Sequence, residues 1–149
     1  MSLKEFITAR NIIMDFNASS KKEAIEKLAI LLFENGDLID KNEFIQAVFE
    51  RESYTTTGIG NHLAIPHGKG STVKKATLIF AKAQQPINWG SLDGEPVDII
   101  FLMAIPQTDN GTDHLRMLAE LSGRLMDDSF IEKIREETSV DRLVKLLSN

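Results

Sequence analysis

Val97-Asp98-Ile99-Ile100-Phe101-Leu102-Met103-Ala104-Ile105 decides the fold class. Every residue but Asp98 is apolar, and most are β-branched or aromatic. The run falls far short of the roughly 20 residues that span a bilayer. It reads as a strand covered on both faces, because a half-exposed strand would alternate with polar residues. Ala76-Thr77-Leu78-Ile79-Phe80-Ala81 has the same character. Between the two, Leu92-Asp93-Gly94 carries an Asp-Gly turn signal, so Ile87 to Trp89 reads as a short hairpin strand. Asn11 to Phe16 reads as a further short strand.

Helical spacing fills the sequence on either side of these runs. Ser20-Lys21-Lys22-Glu23 has the capping-box pattern, Ile25, Leu28, Ala29 and Leu32 follow on one face, and Gly36 suits the end of that helix. A second helix starts near Asp40, with Phe44, Ile45, Val48 and Phe49 as its stripe and Arg51 in its last turn. After the strands, Leu115, Leu118, Leu121 and Leu125 mark a helix that begins at Asp113. Ser129-Phe130-Ile131-Glu132 reads as another capping box, and Val140, Leu143, Val144 and Leu147 form a last stripe. The expectation is an α/β protein with a mixed β-sheet flanked by helices, one compact domain over residues 1–149 without repeat or linker.

Composition narrows the function classes. The chain carries 17 Lys plus Arg against 22 Asp plus Glu, a net charge of −5, which gives no global attraction for nucleic acid or an anionic membrane. It has no cysteine, which removes thiol catalysis, disulfides and Cys-based zinc sites. The N-terminal stretch has no signal-peptide core and no apolar run is long enough for membrane insertion, so a cytoplasmic protein is the simplest reading.

The segment rich in Thr and Gly, Thr55 to Gly68, is where chemistry concentrates. The strand-like Leu63-Ala64-Ile65 meets Pro66, which cannot donate to the next ladder bond, so the chain should leave the sheet there. His67 then stands at a strand end, followed by Gly68, whose missing Cβ permits close approach. An exposed, rigidly held imidazole can serve as nucleophile, general base or metal ligand, or be merely a turn histidine. His114 falls in the first turn of its helix, where the dipole disfavours imidazolium and free N–H groups favour an anion; it can equally pack or cap. Arg51 can grip a phosphoryl group at two points, or only satisfy the end of its helix. Thr55, Thr56 and Thr57 offer hydroxyls near His67 in sequence, although loop threonines commonly bond their own backbone. Gly58-Ile59-Gly60 fits neither the P-loop nor the dinucleotide fingerprint, which disfavours nucleotide as cofactor. His62 and His67 are five apart and no HExxH is present, so no metal is expected. No GxSxG elbow supports a serine hydrolase.

Taken together, Arg51-Glu52, Thr57-Gly58-Ile59-Gly60, Ala64-Ile65-Pro66-His67-Gly68, Ile87-Asn88-Trp89, Asp93-Gly94, Pro106 and His114-Leu115 resemble, in order, the enzyme IIA component of the phosphoenolpyruvate-dependent sugar phosphotransferase system, fructose–mannitol type. The resemblance implies that Nε2 of His67 accepts a phosphoryl group from the carrier protein HPr and passes it to a IIB component that phosphorylates a sugar. It implies that Arg51 and His114 line the phosphohistidine, that Thr57 belongs to the same site, and that neither metal nor cofactor is needed. An apolar rim of Phe, Ile or Leu should surround His67. Position 62 is usually glycine in that family, and His62 either crowds His67 or adds a hydrogen bond there. Two other readings share this fold: a nitrogen-related IIA paralogue that is phosphorylated likewise but acts by binding regulatory partners, and a sensory module of a transcriptional regulator, which the short chain disfavours.

Overall fold

The computed structural model describes residues 3–148. Met1, Ser2 and Asn149, which the expected domain bounds include, lie outside the described residues. The strands are β1 (Ile12–Phe16), β2 (Gly58–Gly60), β3 (Leu63–Ala64), β4 (His67–Gly70), β5 (Thr77–Ile87) and β6 (Val97–Pro106). The helices are α1 (Lys21–Glu34), α2 (Lys41–Tyr54), α3 (Thr112–Leu125), α4 (Asp128–Glu136) and α5 (Val140–Ser148).

β6 is the centre of a six-stranded mixed sheet ordered β1-β5-β6-β3-β2. Its antiparallel partner β5 lies on one side. On the other side β3 pairs with the start of β6 and β4 with its end, both parallel. The pleat of β6 explains its continuous apolar sequence. Ile100, Leu102 and Ala104 join Ile25, Leu28, Phe44 and Val48 in a core under α1 and α2. Ile99, Phe101, Met103 and Ile105 turn the other way, to Met117, Leu121, Ile134 and Leu143 under α3, α4 and α5. Helices cover both faces, as the sequence predicts, in one α/β layer structure. Among the described residues no helix is long and apolar enough to cross a membrane.

The first two helices start where the sequence places them. Ser20 Oγ accepts the Glu23 N–H at 3.1 Å, while the Glu23 carboxylate reaches back to the Ser19 N–H and hydroxyl. Asp40 caps α2 through the N–H groups of Asn42 and Glu43. Gly36 and Asp37 donate to Phe33 and Leu32 and so close α1 with paired carbonyl acceptors.

Four expectations need correction. Asp127, not Ser129, caps α4, because its carboxylate accepts the Ser129 N–H at 2.9 Å. Leu115 is 66% exposed, and Met117 takes the inward place on α3. Ile87 to Trp89 is not a strand of its own: Ile87 is the last residue of β5 and pairs with Val97, and Trp89 is buried beyond it in the connection. The chain does not leave the sheet at Pro66. It rejoins β6 at His67, since the Pro66 carbonyl still accepts the Met103 N–H at 3.0 Å and the ring's missing donor falls where β4 forms an edge.

Candidate functional site

His67 is the first residue of β4 and pairs with Met103, so it lies on the sheet face covered by α3. Gly68 turns to the opposite face, where α2 packs directly on the strand. A Cβ on Gly68 would come within 2.8 Å of Val48 Cγ2 and 2.9 Å of Phe44 Cε1. Glycine is therefore what lets α2 approach closely enough to bring Arg51 and Tyr54 beside His67. From the other side α3 delivers His114, whose ring centroid is 5.0 Å from that of His67 at a tilt of 54°. The result is an open cleft of about 370 Å³ lined by Glu50, Arg51, Tyr54, His67, Lys69 and His114 among others.

The orientation of the rings follows from their burial. His67 Nδ1 is buried and makes no hydrogen bond, so Nε2 is the nitrogen turned to the cleft. Burial pushes the His67 imidazole below the usual histidine range. Neighbouring His114 and Arg51 push the same way, while the Ile65 carbonyl and Glu52 pull upward. The Ile65 carbonyl approaches the ring without meeting full hydrogen-bond geometry at Nδ1. Burial lowers His114 too, with Asp109 opposing and Lys69 and Arg51 assisting. Both rings are therefore neutral at pH 7. Arg51 spends one N–H on the Thr55 carbonyl at 3.0 Å and forms no ion pair among the described residues, which leaves the rest of the guanidinium to the cleft. Two neutral rings and a guanidinium with N–H donors to spare suit a site where a dianion comes and goes.

A pH dependence follows. An unfolded histidine binds a proton near pH 6.5, whereas the folded His67 and His114 rings resist until a lower pH. In that window the unfolded chain holds more protons, so stability falls as pH drops. Ring C–H resonances followed by NMR should titrate below the ordinary histidine range for residues 67 and 114. Urea unfolding should give a lower midpoint at about pH 5.5 than at about pH 7. Rings titrating at or above the ordinary range would contradict the assigned environment.

The site brings together His67, Arg51 and His114, but not Thr57. Thr57 is 3% exposed, and its hydroxyl donates to the Glu52 carboxylate while accepting the Trp89 indole N–H at 3.2 Å. Glu52, with a side chain 5% exposed, also accepts the Thr57 N–H and pairs with Lys21. This network fixes the Thr/Gly loop from within, so Thr57 supports the site rather than lining it. His62 does not crowd His67. Its Nδ1 lies 2.8 Å from the Pro96 carbonyl, and it borders a separate cavity with Asp128 and Arg135. With φ at +63° it occupies the left-handed region, which explains why glycine suits that position. The α3 N-terminus does not offer free N–H groups. The Asp109 carboxylate accepts those of Gly111, Asp113 and His114.

The sequence reading missed Tyr54, Lys69 and Asp109. Lys69 follows His67 by two, the strand period that puts both on one face. Of the expected apolar rim of Phe, Ile or Leu, none lines the cleft among the described residues; Tyr54 does, and it is 78% exposed. The rim residue on α2 is thus a tyrosine. Among the described residues no group of three or more His, Cys, Asp or Glu could hold a metal ion.

The family model for the phosphoenolpyruvate-dependent sugar phosphotransferase system, EIIA 2, matches residues 5–149. The chain belongs to this family. Relatives lie on both its branches. The chain is 37% identical to the 2-O-alpha-mannosyl-D-glycerate-specific EIIABC component of Escherichia coli, over 88% of the chain and 20% of that protein. The chain thus spans about a fifth of the length of that relative. It is 34% identical to a nitrogen regulatory protein of Bradyrhizobium diazoefficiens, over 99% of the chain and 95% of the relative. Nitrogen regulatory protein IIA-Ntr of Neisseria meningitidis superposes with a TM-score of 0.90 at 29% identity, covering 98% of this EIIA chain and 99% of the other. Enzyme IIA-mannitol of Escherichia coli, solved in complex with phosphorylated enzyme IIB-mannitol, gives 0.79 at 27% identity, covering 95% and 96%.

Proposed function

We propose that this EIIA protein is a phosphocarrier whose acceptor atom is Nε2 of His67. The observation that carries the reading is the neutral His67 ring with Nδ1 buried and Nε2 open to a cleft between Arg51 and His114. The attacking lone pair must sit on Nε2, so the resting proton belongs on Nδ1. HPr brings a phosphohistidine whose ring is protonated on its other nitrogen. The N–P bond to that ring breaks as the bond to His67 Nε2 forms. The donor departs as neutral imidazole, His67 becomes a phosphoimidazolium, and no free proton or metal is required. A loose transition state needs positioning and charge stabilisation, which Arg51 supplies as a two-point donor and His114 as a neutral N–H donor.

The second transfer delivers the group to a IIB component that phosphorylates a sugar during uptake, and the reading places the protein in the cytoplasm. The complex of IIA-mannitol with phosphorylated IIB supports this direction. The tighter superposition on Neisseria meningitidis IIA-Ntr favours a second reading, in which the same phosphorylation governs binding to regulatory partners. One experiment addresses both. The protein is incubated with phosphoenolpyruvate, enzyme I and HPr, and its intact mass is recorded before and after mild acid. A gain of one acid-labile phosphoryl group is expected. No gain rejects the phosphocarrier. The loaded protein is then offered IIB components, and loss of the group to one of them selects sugar delivery, whereas retention selects the regulatory branch.

A further inference from the structure

Lys69 lines the same cleft as His67 and lies on the same face of β4, two residues on, paired with Ile105 as His67 is with Met103. It is exposed and forms no ion pair among the described residues. Its Nζ donates instead to the neutral backbone carbonyl of Asp109, at 2.8 Å. That carbonyl belongs to the residue whose carboxylate holds the first turn of α3, including the N–H of His114. The charged groups around Lys69 are Arg51, Glu50 and Asp109, with the neutral rings of His67 and His114.

We propose that Lys69 is a third phosphoryl-binding residue, which leaves the Asp109 carbonyl to pair with the phosphoryl group once His67 carries it. The proposal rests on the assignment of His67 as acceptor and goes beyond it in naming a ligand that responds to loading. Lys69 also feels the charge of the Asp109 carboxylate, but its hydrogen bond is to a neutral carbonyl, and a charge-assisted bond to an arriving dianion is about twice as strong as the one it replaces. Its long stem spans the cleft without moving the backbone. Arg51, by contrast, has further N–H donors and can keep its Thr55 carbonyl while it binds the phosphoryl group, so it need not change partners. When Lys69 swings over, the Asp109 carbonyl loses its donor, so the turn that leads into α3 reports the loaded state to a docking partner.

The test compares wild type, Lys69→Gln and Lys69→Arg after loading with potassium phosphoramidate, which phosphorylates histidine chemically without any carrier protein. The His67 signal is identified by ³¹P NMR as the one missing in a His67→Gln control. In Lys69→Gln the second ionisation of the phosphoryl group should move up by about half a pH unit, since a neighbouring cation no longer favours the dianion. Lys69→Arg should keep the wild-type value. Equilibration with phospho-HPr should show the loaded form of Lys69→Gln weakened about three- to tenfold. An unchanged ³¹P titration in Lys69→Gln overturns the proposal, and so does a change that Lys69→Arg fails to rescue. Failure of HPr to load wild type, with the Lys69 effect intact in the phosphoramidate sample, removes the carrier reading alone.

Discussion

His67→Gln is expected to take up no phosphoryl group from phospho-HPr while keeping its fold. The loss should be complete, because His114, as an N–H donor to the cleft, keeps its lone pair on the buried Nε2, and His62 borders a different cavity. Folding should survive for an equally specific reason. His67 Nδ1 already lacks a hydrogen-bond partner, so the substitution orphans no group that the native state relies on. The stability change should stay within about 1 kcal/mol, read from the urea midpoint. The amide carries no lone pair able to hold a phosphoryl group. His114→Gln makes the informative contrast, since a positioning donor lost from a site that keeps its nucleophile slows transfer without abolishing it. A full mass gain in His67→Gln would move the acceptor elsewhere. Unfolding of His67→Gln would show that the ring supports the sheet edge instead of standing free on it.

Much of the fold was legible because its signals are local. The two apolar runs at Ala76 to Ala81 and Val97 to Ile105 announce strands buried on both faces, and Ser20, Asp40 and Gly36 sit at the helix ends that their side chains and backbone require. The site was legible in part. His67, Arg51 and His114 converge, although they come from a strand and two helices far apart in sequence. The roles of their neighbours were not legible, because those depend on pairing. Thr57 looks like a loop hydroxyl until Trp89 and Glu52 are seen to enclose it. Pro66 looks like an exit from the sheet, yet a proline at an edge keeps its carbonyl in the ladder, and only the parallel register with Met103 reveals that. The free N–H groups expected at the start of α3 are taken by Asp109, five residues before His114, a spacing outside the usual N-cap pattern.

Gly68→Ala is the second large effect, and it acts on the scaffold. One methyl group there would meet Val48 Cγ2 at 2.8 Å and Phe44 at 2.9 and 3.3 Å. Neither neighbour can yield, since both side chains are fully buried in the core under α1 and α2. Relief must come from α2 moving off the strand, at a cost of about 1–3 kcal/mol for overpacking a close-packed site. Arg51 and Tyr54 ride on α2, so the displacement widens the cleft and withdraws the guanidinium from Nε2 of His67. Two measurements should move together: a lower urea midpoint and slower phosphoryl acceptance, although Gly68 touches no phosphate. Val48→Ala removes the clashing Cγ2 methyl, leaves the Phe44 contact in place, and by itself opens a small void into which the ring can shift. The double variant Gly68→Ala with Val48→Ala should therefore be more stable than the sum of the two single losses predicts, and should regain part of the transfer rate. Simple additivity in that cycle would mean that the strand, not the helix, absorbs the new methyl, and that the spacing between β4 and α2 does not set the position of Arg51.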